Sequence, residues 1–321
     1  MKYARGVMAL LALLTLVVTL KVATPASAET MGLKTVLSLV NAAPEIKVLP
    51  SNLQPSLQGL EKDNGQYWAS IQGCHPVSPD QYFTLPPLCT FGDKTSHDVV
   101  VLDGDSHAAM WINALDRYGR QAHKKVILFW LGNCGVASYS SVKYWSYSAN
   151  TGNWDCRPWQ NWVVGQVRDI QPQTLVLSSN IFPDMEDPHK TLSPDKWSRG
   201  MTLSLASFKK ASPRSSIVVL GGTPFFERSL PSCLYFHKTD VRSCSSLRDK
   251  TLYRTLSAAD SRAALSSGAR YVDVVPWFCS TVCTSVVGNM ALYSEGKHIT
   301  STYATFLTDV LTAAIFDPVK Q

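Results

Sequence analysis

The chain has 321 residues, a formal charge of +6 and 45% hydrophobic residues. That length suits one large domain, or one domain with an accessory layer, and easily closes around an ordinary core. The charge excess is too weak to mark a nucleic-acid partner, and no run of like charges marks a membrane-surface patch.

Lys2 and Arg5 precede an almost unbroken apolar run from Val7 to Leu20, and Ala26-Ser27-Ala28 is a small-x-small cleavage site. Residues 1–28 therefore read as an export signal. The run is short for a spanning helix, which needs about 20 apolar residues; retention as an anchor is the competing reading. Cleavage after Ala28 removes Lys2, Arg5 and Lys21 and no acidic residue, which leaves a charge of +3. No later stretch is long and apolar enough to span, so the rest is expected to be exported: extracellular, periplasmic or attached to the cell envelope.

Residues 29–70 carry a weak helical pattern and then Leu49-Pro50-Ser51-Asn52-Leu53. This segment is expected to be an N-terminal arm packed on a domain of residues 71–321. A β/α alternation follows. Short β-branched runs at 98–103 (DVVVLD), 125–130 (KVILFW), 174–179 (TLVLSS), 215–220 (SSIVVL) and 270–276 (RYVDVVP) have the character of buried parallel strands. Helical patterns lie at about 107–119, 158–169, 194–211, 246–266 and 299–315. The alternation predicts a three-layer α/β/α sandwich with about five parallel strands in flavodoxin-like order. In such sheets the site lies beyond the carboxyl ends of the strands.

Eight cysteines in an exported chain point to disulfide-stapled loops. They fall in close pairs: Cys74 and Cys89, Cys134 and Cys156, Cys233 and Cys244, Cys279 and Cys283. Eight cysteines allow 105 connectivities, of which sequential pairing is the simplest. Zinc is the competing reading, but the pairs lack C-x-x-C spacing and the nearby histidines that zinc sites use.

Gly104-Asp105-Ser106-His107-Ala108 directly follows the first strand. A serine at a strand-to-helix turn has its hydroxyl at the carboxyl edge of the sheet. Its backbone N–H sits at a helix start, where N–H groups are free to hold an oxyanion. The plain alternative is a helix-capping serine. Serine needs a base. His298 lies beyond the fifth strand, with Glu295 three residues upstream, where a carboxylate can hold the imidazole tautomer and stabilise its cation. For an isolated E-x-x-H, a solvated pair at a helix start is the competing reading.

Taken together, GDS after the first strand and an acid-x-x-His near the C-terminus resemble the SGNH hydrolase superfamily. More narrowly, the chain resembles the extracellular SGNH domain fused to bacterial membrane O-acyltransferases of the third acyltransferase family. The segments that carry the likeness are LPSNLQPSL (49–57), CTFGD (89–93), VVLDGDSHAAMW (100–111), NCGVAS (133–138), WDCRPW (154–159), WFCSTVC (277–283) and VVGNMALYSEGKHIT (286–300). The resemblance implies Ser106 as nucleophile, His298 as general base and acid, and Glu295 as third member. It implies the four sequential cysteine pairs as disulfides, and acyl groups on cell-surface sugars as substrate. In the wider superfamily a glycine after the second strand and an asparagine after the third complete the oxyanion hole with the nucleophile's own N–H. Gly132 (or Gly135) and Asn180 stand at those places beside Ser106.

Two departures stand out. The acid is Glu295 where the family motif has aspartate, and the membrane acyltransferase half is not in this chain. The expected function is an exported serine-dependent carbohydrate esterase or O-acyltransferase with no cofactor and no metal. Its partners would be an acylated carbohydrate, with a separate membrane acyltransferase as a further partner. The rival is a weakly active or inactive domain that binds glycan or docks on such an acyltransferase. A lipase lacks an apolar lid or interfacial helix to support it.

Of the other residues, Asp105 reads as a turn residue and His107 as structural or substrate-lining. His189 and His237 are loop histidines. Tyr139, Tyr144, Trp145, Tyr147, Trp154 and Trp159 could form a sugar platform or a satellite core beneath the loop between Cys134 and Cys156.

Overall fold

Five runs of aliphatic residues form the parallel core of one sheet in the computed structural model, which describes residues 26–74, 89–138, 143–144, 154–180 and 193–317. The strands are β1 (Thr90–Gly92), β2 (Val99–Gly104), β3 (Lys125–Trp130), β4 (Thr174–Ser178), β5 (Ser216–Leu220) and β6 (Arg270–Val272). Their spatial order is β1-β3-β2-β4-β5-β6. All neighbours pair in parallel except β1, which runs antiparallel to β3. The five parallel strands thus follow the flavodoxin order. The chain reverses its direction of winding between β2 and β4, and in this class of sheet that crevice is where sites form.

Side chains alternate between the two faces of the sheet, as the strand period requires. Val100, Leu102, Val126, Leu128, Val176 and Val218 enter one buried cluster, while Val101, Ile127, Phe129, Leu175, Leu177 and Val219 enter another. The first face is covered by the helices Ile112–Gln121, Ser301–Phe306 and Thr308–Phe316, through residues such as Leu115, Tyr303 and Leu311. The second is covered by Arg157–Ile170, Pro194–Ala211 and Arg254–Ser266, through Val163, Met201 and Ala263. The result is a three-layer α/β/α sandwich.

Three local expectations are corrected. The edge strand β1 has only three residues, too few to show a periodic pattern. The fifth parallel strand stops at Val272, and the chain turns into a single 3-10 turn at Val275–Trp277, where Pro276 cannot donate to a ladder. The helix expected over 246–266 is broken: Ser246 and Leu247 pair with Cys283 and Val282 in a two-stranded ribbon, Arg248–Thr251 forms one turn, and the long helix starts at Arg254.

The segment before the sheet holds the helices Ala26–Ala42 and Gly65–Ile71, joined by 3-10 turns. Val36, Val40 and Leu60 bury in the first cluster. Disulfides join Cys74 to Cys89, Cys134 to Cys156, Cys233 to Cys244 and Cys279 to Cys283, which uses all eight cysteines. Among the described residues, no helix is long and apolar enough to cross a membrane.

Candidate active site

The strand register aligns Trp130, Gly104, Ser178, Leu220 and Val272 across the carboxyl edge of the sheet. The residues just beyond these strand ends therefore share one rim. After β2 they are Asp105-Ser106, and after β4 they are Ser179-Asn180.

Gly104 makes the first turn possible. Its φ is +151°, and a Cβ there would lie 1.8 Å from the Ser178 carbonyl oxygen. Only glycine lets β2 end against β4 this closely. Asp105 then caps the short helix Ser106–Ala109, its carboxylate accepting the His107 N–H at 2.7 Å. The same carboxylate accepts the Asn180 N–H, at 2.9 Å from one oxygen and 3.1 Å from the other. Asp105 is 2% exposed. Burial pushes its carboxyl up to about 6 against the pull of these two N–H groups. It is thus more than the turn residue expected: it bolts the end of β2 to the end of β4. Ser106 occupies the first helical position, half-buried.

His298 arrives from a tight turn. Tyr293 and Ile299 pair across it in an antiparallel bridge, and the Ser294 N–H donates to the His298 carbonyl at 3.0 Å. The turn is seated on the segment after β5. Phe226 N–H donates to the Gly296 carbonyl at 2.7 Å and Leu230 N–H to the Glu295 carbonyl at 2.9 Å. A Cβ on Gly296 would come within 2.4 Å of the Phe226 oxygen, so a glycine is needed for this close seat. Thr300 ends the turn by capping the helix Ser301–Phe306, its hydroxyl accepting the Tyr303 N–H at 3.1 Å.

These two loops bring three side chains into line. Ser106 Oγ lies 2.8 Å from His298 Nε2, and His298 Nδ1 is hydrogen-bonded to Glu295 Oε1. The second Glu295 oxygen accepts the Gly296 N–H at 3.0 Å. Burial pushes the Glu295 carboxyl up, but the hydrogen bond and charge of His298 and the Gly296 N–H outweigh it, and the net shift is downward. The carboxylate is therefore ionised at neutral pH. The Glu295 side chain is 42% exposed against 15% for His298, so solvent screens the pair and its Coulomb energy is small.

His107 is buried behind the His298 ring, with ring centroids 5.2 Å apart and planes tilted by 54°. Its Nδ1 is 3.5 Å from Thr223 Oγ1, and its buried Nε2 has no hydrogen-bond partner among the described residues. Burial first, then the charges of His298 and Lys297, hold its pKa well below the ordinary histidine value. A neutral imidazole there adds no positive charge beside His298.

Of the glycines after β3, Gly132 has nothing within 4 Å of a Cβ built on it. A Cβ on Gly135 would lie 3.1 Å from Ser179 Oγ and 3.4 Å from Asp105 Oδ2, so Gly135 borders the Asp105–Asn180 edge. Gln160 Nε2 donates to the Gly135 carbonyl at 2.7 Å and Ser179 Oγ accepts the Val136 N–H at 2.8 Å, which fixes the peptide plane between them. Gln160 is a residue that the sequence pattern does not single out. Asn180 is half-buried at the rim.

The remaining candidates lie elsewhere. His237 is an exposed C-cap of the helix Leu230–Phe236. His189, Tyr139, Trp145 and Tyr147 lie outside the described residues. Tyr144 and Trp154 pair in a short ribbon. Trp159 is buried against Trp162, with ring centroids 5.2 Å apart. Among the described residues, no group of three or more His, Cys, Asp or Glu is arranged to hold a metal ion.

Comparison with known proteins adds three findings. Residues 73–313 match the family model of the SGNH domain fused to AT3 domains. No curated protein matches. Among solved structures, the periplasmic domain of a lipopolysaccharide acetyltransferase from Salmonella ser. Paratyphi A is similar, with a TM-score of 0.61 and 16% identity, covering 82% of this chain and 98% of that one. At that identity the likeness speaks for the fold.

Proposed function

The chain belongs to the family of SGNH domains fused to AT3 domains, and from that premise we propose that it is an exported serine-dependent carbohydrate esterase or O-acyltransferase. Its substrates are acetyl or other short acyl groups on cell-surface glycans. The observation that carries the proposal is the 2.8 Å separation of Ser106 Oγ and His298 Nε2, with Glu295 on the far nitrogen of the same ring. Four disulfides fit an exported protein. The acetyltransferase domain of similar fold favours acyl chemistry on a glycan.

In the reaction, Glu295 accepts the Nδ1–H of His298 and so leaves Nε2 as the basic nitrogen. Nε2 takes the Ser106 proton as Oγ bonds to the ester carbonyl carbon. The carbonyl oxygen becomes an oxyanion held by the Ser106 N–H, the Asn180 side-chain amide and the Gly135 N–H. We assign the glycine's part to Gly135 rather than Gly132, because Gly135 borders Asp105 and Ser179 at the rim, and its carbonyl is held by Gln160 on the far side of the residue. One such donor contributes about 3–4 kcal/mol. The C–O bond to the sugar then breaks as His298 protonates the leaving alcohol. Water or a second sugar hydroxyl, deprotonated by His298, releases the acyl group from Ser106. Esterase and transferase differ only in that acceptor, and a separate membrane acyltransferase is the partner that would supply acyl groups for transfer.

The test is hydrolysis of a chromogenic acetyl ester by the oxidised protein beside Ser106→Ala. Turnover confined to the serine-containing protein supports the proposal. A folded protein with neither turnover nor covalent serine labelling would instead be a glycan-binding domain or a docking partner of a membrane acyltransferase.

A further inference from the structure

The segment Asp63–Gln66 lies before the 73–313 family match, yet it contacts the backbone of Ser106 and the residues that directly follow the His298 turn. Gln66 Nε2 donates to the Ser106 carbonyl at 3.0 Å, where the Met110 N–H also donates at 3.1 Å, so both lone pairs of that oxygen are used. Gly65 lies against the same helix, and a Cβ there would come 2.1 Å from the Ala109 carbonyl oxygen. On the other side, the Asp63 carbonyl accepts the Ser301 N–H at 2.9 Å and its carboxylate accepts the Thr302 N–H at 3.1 Å. Asn64 and Thr300 form an antiparallel bridge between these contacts. Thr300 is two residues beyond His298.

We propose that Asp63–Gln66 is a positioning clamp that sets the Ser106–His298 distance, with Gln66 holding the nucleophile and Asp63 holding the base. The physical need is clear. Ser106 heads a helix of four residues, a single turn that does not hold itself rigid. His298 hangs from a tight turn whose outgoing helix, Ser301–Phe306, begins with N–H groups that have no acceptor within the helix and that Asp63 takes up. Nucleophile and base are 192 residues apart in sequence but are tied to one stretch of four. Leu60, fully buried, anchors that stretch to the core. The kinetic part of this inference rests on the enzymatic reading above; the geometric part does not.

The experiment compares the full, oxidised chain with Gln66→Met, Asp63→Ala, Asp63→Asn and the exposed control Tyr67→Ala. Two readouts are taken: the ¹⁵N signals of the His298 ring, and kcat and KM for a chromogenic acetyl ester. A misplacement of about 1 Å costs roughly 100-fold in rate. Gln66→Met and Asp63→Ala are expected to move the ring signals toward those of Ser106→Ala and to lower kcat by about 10- to 100-fold, with KM held within about two-fold. Asp63→Asn keeps an acceptor for the Thr302 N–H and is expected to stay near wild type, as is Tyr67→Ala. Should Gln66→Met fail to fold, as judged by melting, the Asp63→Ala and Asp63→Asn pair decides. Ring signals unchanged in folded Gln66→Met and Asp63→Ala overturn the clamp. A wild-type protein without serine-dependent turnover overturns the enzymatic reading, while the ring signals still decide the clamp.

Discussion

Asp105 accepts the backbone N–H of Asn180 across the end of the sheet, 2.9 Å away, while capping the helix that begins with Ser106. One buried carboxylate thereby fixes the proposed nucleophile relative to the proposed oxyanion donor. Asp105→Ala removes both contacts and leaves two N–H groups without acceptors. The expected result is a loss of about 1–3 kcal/mol in stability together with a fall of about 10- to 100-fold in kcat. Asp105→Asn keeps one acceptor oxygen and is expected to lie between. Urea unfolding and steady-state kinetics on an acetyl ester check both, and an unchanged kcat in Asp105→Ala would rule out the role.

Glu295 holds the His298 ring through Nδ1 and is ionised at neutral pH. Glu295→Gln preserves shape but offers the ring an amide that supports the wrong tautomer as readily as the right one. In a serine-protease triad the analogous change costs about 10⁴-fold. Because Glu295 is 42% exposed, a smaller loss of about 10²- to 10³-fold is expected here. The sign for pH follows from its lowered pKa. The carboxylate contributes above the ordinary glutamate range and is lost only as pH falls through that lowered value. Activity near pH 5 should therefore not collapse through Glu295, and a pH profile of Glu295→Gln against wild type measures this.

Two other buried carboxyls predict how stability varies with pH. Burial pushes Asp103 up to about 8, reinforced by the charge of Asp105 and opposed by the Gly104 N–H. It pushes Asp260 up to about 7, opposed by the hydrogen bond from Trp197 Nε1 at 3.0 Å. In the unfolded chain both titrate near 3.8. Between 3.8 and its raised value each group binds more protons folded than unfolded, so stability falls as pH rises. His107 acts in the opposite sense, but only below about 6.5, where the unfolded histidine is charged. Melting temperature is thus expected to decline from pH 6.5 to 8.5, and Asp103→Asn should flatten the decline. A melting temperature that rises over this interval would refute the assignment.

The four disulfides should differ in weight in the order of the loops they close. Cys134–Cys156 spans 22 residues, Cys74–Cys89 15, Cys233–Cys244 11 and Cys279–Cys283 4. Loop-closure entropy gives about 3 kcal/mol for the two longer loops and roughly 2 kcal/mol for the shortest. Paired Cys→Ala variants in chemical denaturation test the order. Loss of Cys134–Cys156 is also expected to reduce kcat, because Cys134 adjoins Gly135. A larger loss from Cys279–Cys283 than from Cys134–Cys156 would show that native-state contacts dominate over chain entropy.

Much of this arrangement is legible in the sequence. The runs VVVLDG, KVILFW, TLVLS and SIVVL are apolar on both faces, as only doubly covered parallel strands are, and their ends place Ser106 and Asn180 on one rim. Ser106, Glu295 and His298 stand out as candidates from the GDS turn after a strand and the acid-x-x-His spacing, and the family resemblance implies their roles. The edge strand Thr90–Gly92 escapes because three residues carry no period. Asp105 escapes because a solvated turn aspartate and a buried cap are the same letter; only the tertiary contact with Asn180 tells them apart. Gly132 and Gly135 are equivalent on spacing and are separated only by what lies beside them. Gln66 and Asp63 sit in a weakly patterned arm, and their partners are distant in the chain, so no local signal marks them.

Whether Ser106 is the nucleophile is decided by covalent labelling of the oxidised protein with a fluorophosphonate probe, with the adduct located by peptide mass spectrometry. A single adduct on Ser106 is expected, formed at a rate that drops sharply in His298→Ala. An adduct on another serine, or no adduct on a folded protein that still hydrolyses an acetyl ester, would contradict it.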